Sequence, residues 1–261
     1  MGVLDDIIVG VRQDLAPRMA ATPLADLEAR LGEVAPPLDP MPAFRAPGLA
    51  VISEVKRKSP SKGELADIPD PAELAASYAA GGAAAISVLT EQRRFGGSLA
   101  DLAAVRARVD IPVLRKEFIV TDYQVVEARA HGADLVLLIV AALDDAELRR
   151  LHDLSLELGL RPLVEVHTAD EARRAVDLGA ELIGVNNRNL QTLDVDLAQF
   201  SSLVELLPDD CVNVAESGIT GPADAARLYD EGAQVLLVGE TLVRHPDPTT
   251  AVQALLRSIP E

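Results

Sequence analysis

A chain of 261 residues that is 49% apolar and 25% charged can bury a sizeable core, which excludes a disordered or fibrous protein. Aromatic residues make up only 3% and tryptophan is absent, which argues against a base-stacking platform; a formal net charge of −17 repels phosphate backbones, so no nucleic-acid partner is expected. The single cysteine, Cys211, cannot form a disulfide within the chain and suits a reducing compartment.

The opening segment, Met1-Gly2-Val3-Leu4-Asp5-Asp6, lacks a basic stretch followed by a long apolar run. No signal peptide is expected, and the cytoplasm is the expected location. Leu4 to Leu15 and Leu24 to Leu31 read as amphipathic helices punctuated by Pro17 and Pro23, and a Pro-rich stretch from Ala35 to Pro47 follows. Residues 1–47 are therefore expected as a helical extension packed on a single domain spanning 1–261.

From there a rhythm sets in. Helical patterns end in Gly-Gly-Ala or Gly-Ala, at Gly81-Gly82-Ala83, Gly132-Ala133, Gly179-Ala180 and Gly232-Ala233, and an apolar run follows each. Glycine supplies a left-handed helix stop. Helix starts are marked by Asp70-Pro71, by Thr168-Ala169-Asp170-Glu171, by Gly221-Pro222 and by Asp247-Pro248. Strands are expected at 49–56, 84–90, 112–118, 134–141, 161–167, 181–187, 211–217 and 234–239. Eight strands, each followed by a helix or helical turn, predict an α/β fold of the (β/α)8 TIM-barrel type with an N-terminal helical extension. The structural rival is an open doubly wound sheet, which would want a Gly-x-Gly-x-x-Gly loop that does not occur here. The longest apolar run, Leu135 to Leu143, is too short for a membrane span.

Polar groups recur at the C-terminal ends of these strands: Glu54 and Lys56, Arg115 and Lys116, Glu165, Asn186 and Arg188, and Glu216. Strands buried on both faces should be nearly all apolar, and an unpaired buried charge is costly. Each such residue alone is more simply a cap or a rim charge. In register on several strands they predict one polar site at the barrel mouth, with Glu54 beside Lys56, Glu165 beside His167 and Asn186 beside Arg188 by two-residue alternation. If Lys116 points inward, Arg115 and Glu117 point outward, and the barrel rim is their expected place. Of the four histidines only His167 falls near this site, and it is not counted among the catalytic candidates. No His/Cys/carboxylate set has metal-ligand spacing, so no metal is expected. Cys211 reads as a small core residue. The cluster Lys56-Arg57-Lys58-Ser59-Pro60-Ser61-Lys62 can reverse the local sign of charge for an anionic ligand. Gly218 after the seventh strand and Gly239 after the eighth let backbone approach an anion, the usual phosphate position of such barrels.

The blocks Glu54-Val55-Lys56-Arg57-Lys58-Ser59-Pro60-Ser61, Leu89-Thr90-Glu91 with Phe95-Gly96-Gly97, Leu114-Arg115-Lys116-Glu117-Phe118-Ile119, Gly184-Val185-Asn186-Asn187-Arg188 and Val214-Ala215-Glu216-Ser217-Gly218-Ile219 resemble the indole-3-glycerol-phosphate synthases of tryptophan biosynthesis, over essentially the whole chain. The resemblance implies a lyase without a cofactor that converts 1-(2-carboxyphenylamino)-1-deoxyribulose 5-phosphate to indole-3-glycerol phosphate, releasing CO₂ and water. It implies Lys116 as the acid at the ketone oxygen, Glu165 and Lys56 in the dehydration, and Glu54 as a base or as a holder of the lysines. It implies that Glu216 orients a hydroxyl or a lysine, and that Asn186, Arg188 and Ser59 hold the carboxylate and hydroxyls. Phe95 would pack on the aromatic ring. Lys56, Ser217, Gly218, Gly239 and the backbone at Glu240 would hold the phosphate. Glu240 stands where other members carry serine, so its side chain is expected to point away and leave only its N–H. The rivals are a related phosphate-binding barrel such as phosphoribosylanthranilate isomerase, which wants a Cys/Asp pair, and a non-catalytic phosphate-binding barrel. A small phosphorylated substrate, no membrane and a monomer are expected.

Overall fold

A computed structural model describes residues 2–259; Met1, Pro260 and Glu261, the outermost residues of the expected domain, lie outside the described residues. Eight parallel strands close into a barrel: β1 (Ala50–Val55), β2 (Ala85–Leu89), β3 (Val113–Lys116), β4 (Leu135–Ile139), β5 (Arg161–Val166), β6 (Leu182–Asn186), β7 (Val212–Glu216) and β8 (Val235–Val238). Neighbours in the barrel are neighbours in sequence, and β1 closes the ring by pairing with both β2 and β8, Ile52 opposite Ala85 and Ala50 opposite Val235. No sheet edge remains, so the open-sheet rival falls.

The helices are α1 (Val3–Ala21), α2 (Leu24–Arg30) and α3 (Met41–Phe44) before β1, then α4 (Pro71–Ala80), α5 (Gln92–Phe95), α6 (Leu99–Arg108), α7 (Asp122–Ala130), α8 (Asp145–Glu157), α9 (Ala169–Leu178), α10 (Ala198–Val204), α11 (Pro222–Asp230), α12 (Glu240–Val243) and α13 (Pro248–Leu256). Each of the eight expected strands is present, trimmed by one to three residues. Helix starts are held as their sequences require: Asp70 accepts from the N–H groups of Ala72 and Glu73, and the Thr168 hydroxyl accepts from Glu171 N–H. Gly132 and Gly179 end their helices at φ 82° and 84°. No described helix is long and apolar enough to cross a membrane.

Two expectations need correction. Pro17 does not end the first helix; it lies on the exposed side of α1, which continues to Ala21. A proline inside a helix costs ~3 kcal/mol, but tertiary contacts hold this last turn. Arg18 Nε donates to Glu127 Oε1 at 3.0 Å, and the Tyr123 hydroxyl donates to Thr22 O at 2.9 Å. Arg115 and Glu117 are not at the rim. Arg115 is completely buried between the barrel wall and α7, where it donates to Glu127 Oε2 (2.8 Å), Gln124 O (2.8 Å) and Thr90 Oγ1 (3.2 Å). Glu117 is also buried, accepting from Thr90 Oγ1 at 2.7 Å and from Phe118 N–H at 2.9 Å. The partner that holds Arg115 beneath α7, Glu127, is supplied by the helix after the strand. A short hairpin, Lys58–Ser59 with Gly63–Glu64, also forms in the loop after β1, where no strand was expected.

Candidate active site

The C-terminal strand ends open into a cavity of about 670 Å³, large enough for a phosphorylated metabolite. Its floor is apolar, from Leu89, Leu137, Ile139 and Leu237, and its walls carry the predicted polar residues. Glu54, Lys56, Ser59, Phe95, Lys116, Glu165, Asn186, Arg188, Glu216, Ser217, Gly218, Gly239 and Glu240 all line it. Thirteen residues from seven strand ends and their loops thus meet in one chamber.

Two ion-paired groups divide the chamber. In the first, Lys116 Nζ lies 2.9 Å from Glu165 Oε2 and 2.5 Å from Glu216 Oε2. Asn186 Nδ2 donates to the other Glu165 oxygen at 3.0 Å. Burial alone would lower the Lys116 pKa; the carboxylates of Glu165, Glu216 and Glu54 outweigh it and hold the ammonium above its usual range. The two carboxylates diverge. Burial opposes ionisation of Glu165, but Lys116 and His167 overcome that and hold it well below the usual carboxylate range. Glu216 is pushed up to about 7 by burial and by the Glu165 charge, despite Lys116. In the second group, Lys56 Nζ lies 2.7 Å from Glu54 Oε1, and Ser87 Oγ donates to Glu54 Oε2 at 3.3 Å.

Glycines make this crowding possible. A Cβ on Gly184, inside β6, would fall on Glu216 Oε1, and one on Gly239 would come 2.5 Å from Glu54 Oε1. Gly239 therefore leaves room for the Glu54–Lys56 pair. Ser217 and Gly218 are consecutive residues with positive φ, 65° and 82°, which turns the β7 loop back over the cavity. The β7 and β8 loops are tied together by the Thr241 hydroxyl, which donates to Ile219 O at 2.6 Å.

Glu240 points its carboxylate to Arg244 Nη1 at 3.2 Å, so the negative charge beside this loop pair is matched within one turn. Lys56 and Lys62 reach the cavity from the basic segment, whereas Arg57 turns away to Asp101 at 2.5 Å. Arg188 Nη1 donates to Leu193 O at 2.8 Å. Phe95 packs against Phe118 with ring centroids 6.1 Å apart, making an aromatic wall.

Some site residues escaped the sequence reading. Val3, Leu4 and Ile7 of α1 line the cavity, as do Phe118 and Arg244. Asn187 pins the β7 loop from behind, donating to Ser217 O at 3.2 Å and accepting from Phe200 N–H at 3.0 Å. His167 stands 3.2 Å from Glu165 Oε1. That place beside Glu165 is the one two-residue alternation predicts, and Phe118 and Asn187 stand inside the quoted motif blocks; Val3, Leu4, Ile7 and Arg244 gave no local signal, because their places depend on long-range packing.

A family model described as indole-3-glycerol phosphate synthase matches residues 4–255. A protein of that name from Nocardioides sp. is 69% identical over 255 residues, covering 98% of each chain. "Indole-3-glycerol phosphate synthase 1" of Streptomyces coelicolor is 60% identical, covering 98% of this chain and 95% of that one. The corresponding protein of Mycolicibacterium gilvum is 58% identical over 97% of this chain and 93% of its own. Among solved structures, a 3-hexulose-6-phosphate synthase from Salmonella typhimurium has a TM-score of 0.67 at 14% identity, covering 80% of this chain and 98% of that one, a likeness of fold alone.

Proposed function

The chain belongs to the indole-3-glycerol phosphate synthase family, and from that membership we propose how its residues divide the work of ring closure, decarboxylation and dehydration. The enzyme is a carboxy-lyase of tryptophan biosynthesis that turns 1-(2-carboxyphenylamino)-1-deoxyribulose 5-phosphate into indole-3-glycerol phosphate.

In ring closure the aryl carbon bearing the carboxylate attacks the C2 ketone, and the carbonyl oxygen becomes an alkoxide. Lys116 is the donor for that oxygen. Held as an ammonium by Glu165 and Glu216, it stabilises the developing charge and then gives up its proton, since an alkoxide is a stronger base than an amine. The bond to the carboxyl group then breaks; its electrons restore the aromatic ring as CO₂ departs. Dehydration needs a proton on the leaving hydroxyl and the loss of one from carbon. Lys56 supplies the first, and Glu54, at 2.7 Å, receives the second.

Asn186, Arg188 and Ser59 hold the carboxylate and hydroxyls, the guanidinium suiting a planar carboxylate. Phe95, with Phe118, faces the aromatic ring. Ser217, Gly218, Gly239 and the Glu240 backbone hold the phosphate with Lys56. Because Arg244 occupies the Glu240 carboxylate, this departure from serine does not cancel the anion site. All these groups come from one chain, so a monomer suffices.

The observation that carries the reading is the Lys116 ammonium clasped by two buried carboxylates above an apolar floor. The test is to incubate pure protein with the carboxyphenylamino-deoxyribulose phosphate and follow the fluorescence of the indole product. Lys116→Met is expected to lower kcat at least ~100-fold with substrate binding retained. Unchanged turnover in that variant would remove Lys116 from the chemistry, as a phosphate-binding barrel without catalysis would require.

A further inference from the structure

Lys116 makes a short contact with each of two buried glutamates, yet the surroundings of the two differ. Glu216 has no cation besides Lys116 within ion-pair distance among the described residues. Glu165 has a second one: His167 Nε2 lies 3.2 Å from its Oε1, off the line of a direct hydrogen bond. The same imidazole is gripped from the far side. Its Nδ1 lies 3.1 Å from Glu171 Oε2, and that carboxylate also accepts from the His167 backbone N–H at 2.7 Å. The ring is thus bridged between two carboxylates, one in the chamber and one in the first turn of α9. A carboxylate within ion-pair distance of each ring nitrogen favours the imidazolium, the form that carries the opposite charge.

We infer that His167 is a positioning residue that decides which of the two carboxylates on Lys116 stays ionised, securing the charge on Glu165 and leaving the proton on Glu216. His167 itself does not line the cavity, so it acts through Glu165. The groups around it fit this role from every side. Glu171 of α9 faces Nδ1, and the Gln199 amide of α10 bonds the His167 carbonyl. Asn186 of β6 and Lys116 of β3 complete the ring of donors on Glu165. The titration behaviour agrees. Burial would lower the His167 pKa, but Glu165 and Glu171 reverse that and lift it to about 9, so the ring is charged at neutral pH.

The inference rests on the catalytic reading only for its consequence, that a fixed Glu165 anion keeps Lys116 charged and in place. Its test is therefore read first without turnover. Glutamate carboxylates labelled with ¹³C are titrated by NMR in the free wild-type enzyme and in His167→Gln. The Glu216 signal is expected to titrate near neutrality in wild type while Glu165 stays ionised. In H167Q the Glu165 midpoint should rise by about one pH unit or more. An unchanged Glu165 titration overturns the proposal, whatever the activity.

The second readout is the pH profile of kcat, whose acid limb should move to higher pH in H167Q with KM nearly unchanged. Glu171→Gln keeps the ring but removes one of its anchors; it should shift both readouts in the same direction by less. Superimposable profiles for wild type and both variants would also overturn it.

Discussion

Lys116 and Glu216 show how little of a residue's chemistry is its own. A solvated carboxylate titrates near 4.3, whereas Glu216 is pushed up to about 7 because it is buried beside the Glu165 charge. Glu165, on the same lysine, moves the other way. Such divergence gives one polar chamber both a proton holder and a fixed anion at a single pH. Glu240 makes the complementary point: a carboxylate beside the proposed phosphate site is tolerable when a cation one turn away engages it. Arg244→Ala frees that carboxylate, and KM should rise about tenfold with kcat within about twofold. Steady-state kinetics decides this, and a KM equal to wild type would place Glu240 too far from the phosphate to matter. The exposed pair itself contributes little to folding.

At the scale of elements, the N-terminal helix is part of the chamber wall. Arg18 of α1 and Arg115 of β3 both engage Glu127 of α7, so one buried carboxylate joins the extension, a barrel helix and the strand that carries Lys116. That docking brings Val3, Leu4 and Ile7 to the cavity. Replacing Arg115 with methionine leaves Glu127 with Arg18 alone. Breaking a buried ion pair from one side typically costs ~3–5 kcal/mol, and Arg115→Met should lower the unfolding free energy by about 3 kcal/mol in urea denaturation. A loss under ~1 kcal/mol would mean that Arg18 by itself compensates Glu127. Alternation put Arg115 outward only on the condition that Lys116 points inward, and the rim was the wrong place for it. Alternation gives a side chain's direction; it does not reveal that a helix will cover it and bring a carboxylate.

For the whole molecule, the stability of the fold should depend on pH through the same site. The folded pKa of His167, about 9, lies above the ~6.5 of an unfolded histidine. Its contribution to stability is therefore complete below about pH 6.5 and is lost as pH rises through 9. The raised Glu216 acts in the same direction at lower pH, because ionising it in the folded state is disfavoured. Glu165 opposes both only in acid, where its stabilising charge is lost as pH falls. Unfolding free energy should fall between pH 6.5 and 9 by on the order of 2–3 kcal/mol, and H167Q should flatten that slope. Urea titrations at the two pH values test it; parallel slopes in wild type and variant would assign the dependence to other groups.

The eight strands, their parallel order and the shared direction of Glu54 with Lys56, of Glu165 with His167 and of Asn186 with Arg188 were determined by the sequence itself. Apolar runs buried on both faces, glycine stops and two-residue alternation are local signals, readable without coordinates. Which lysine meets which carboxylate was decided only by the tertiary structure, since Lys116 reaches Glu165 across 49 residues and Glu216 across 100. The burial of Arg115, the continuation of α1 past Pro17, the pairing of Glu240 with Arg244 and the bridge made by His167 were settled there too. Barrel closure brings the strand ends together, and the strength of each charge then depends on neighbours that local patterning does not specify.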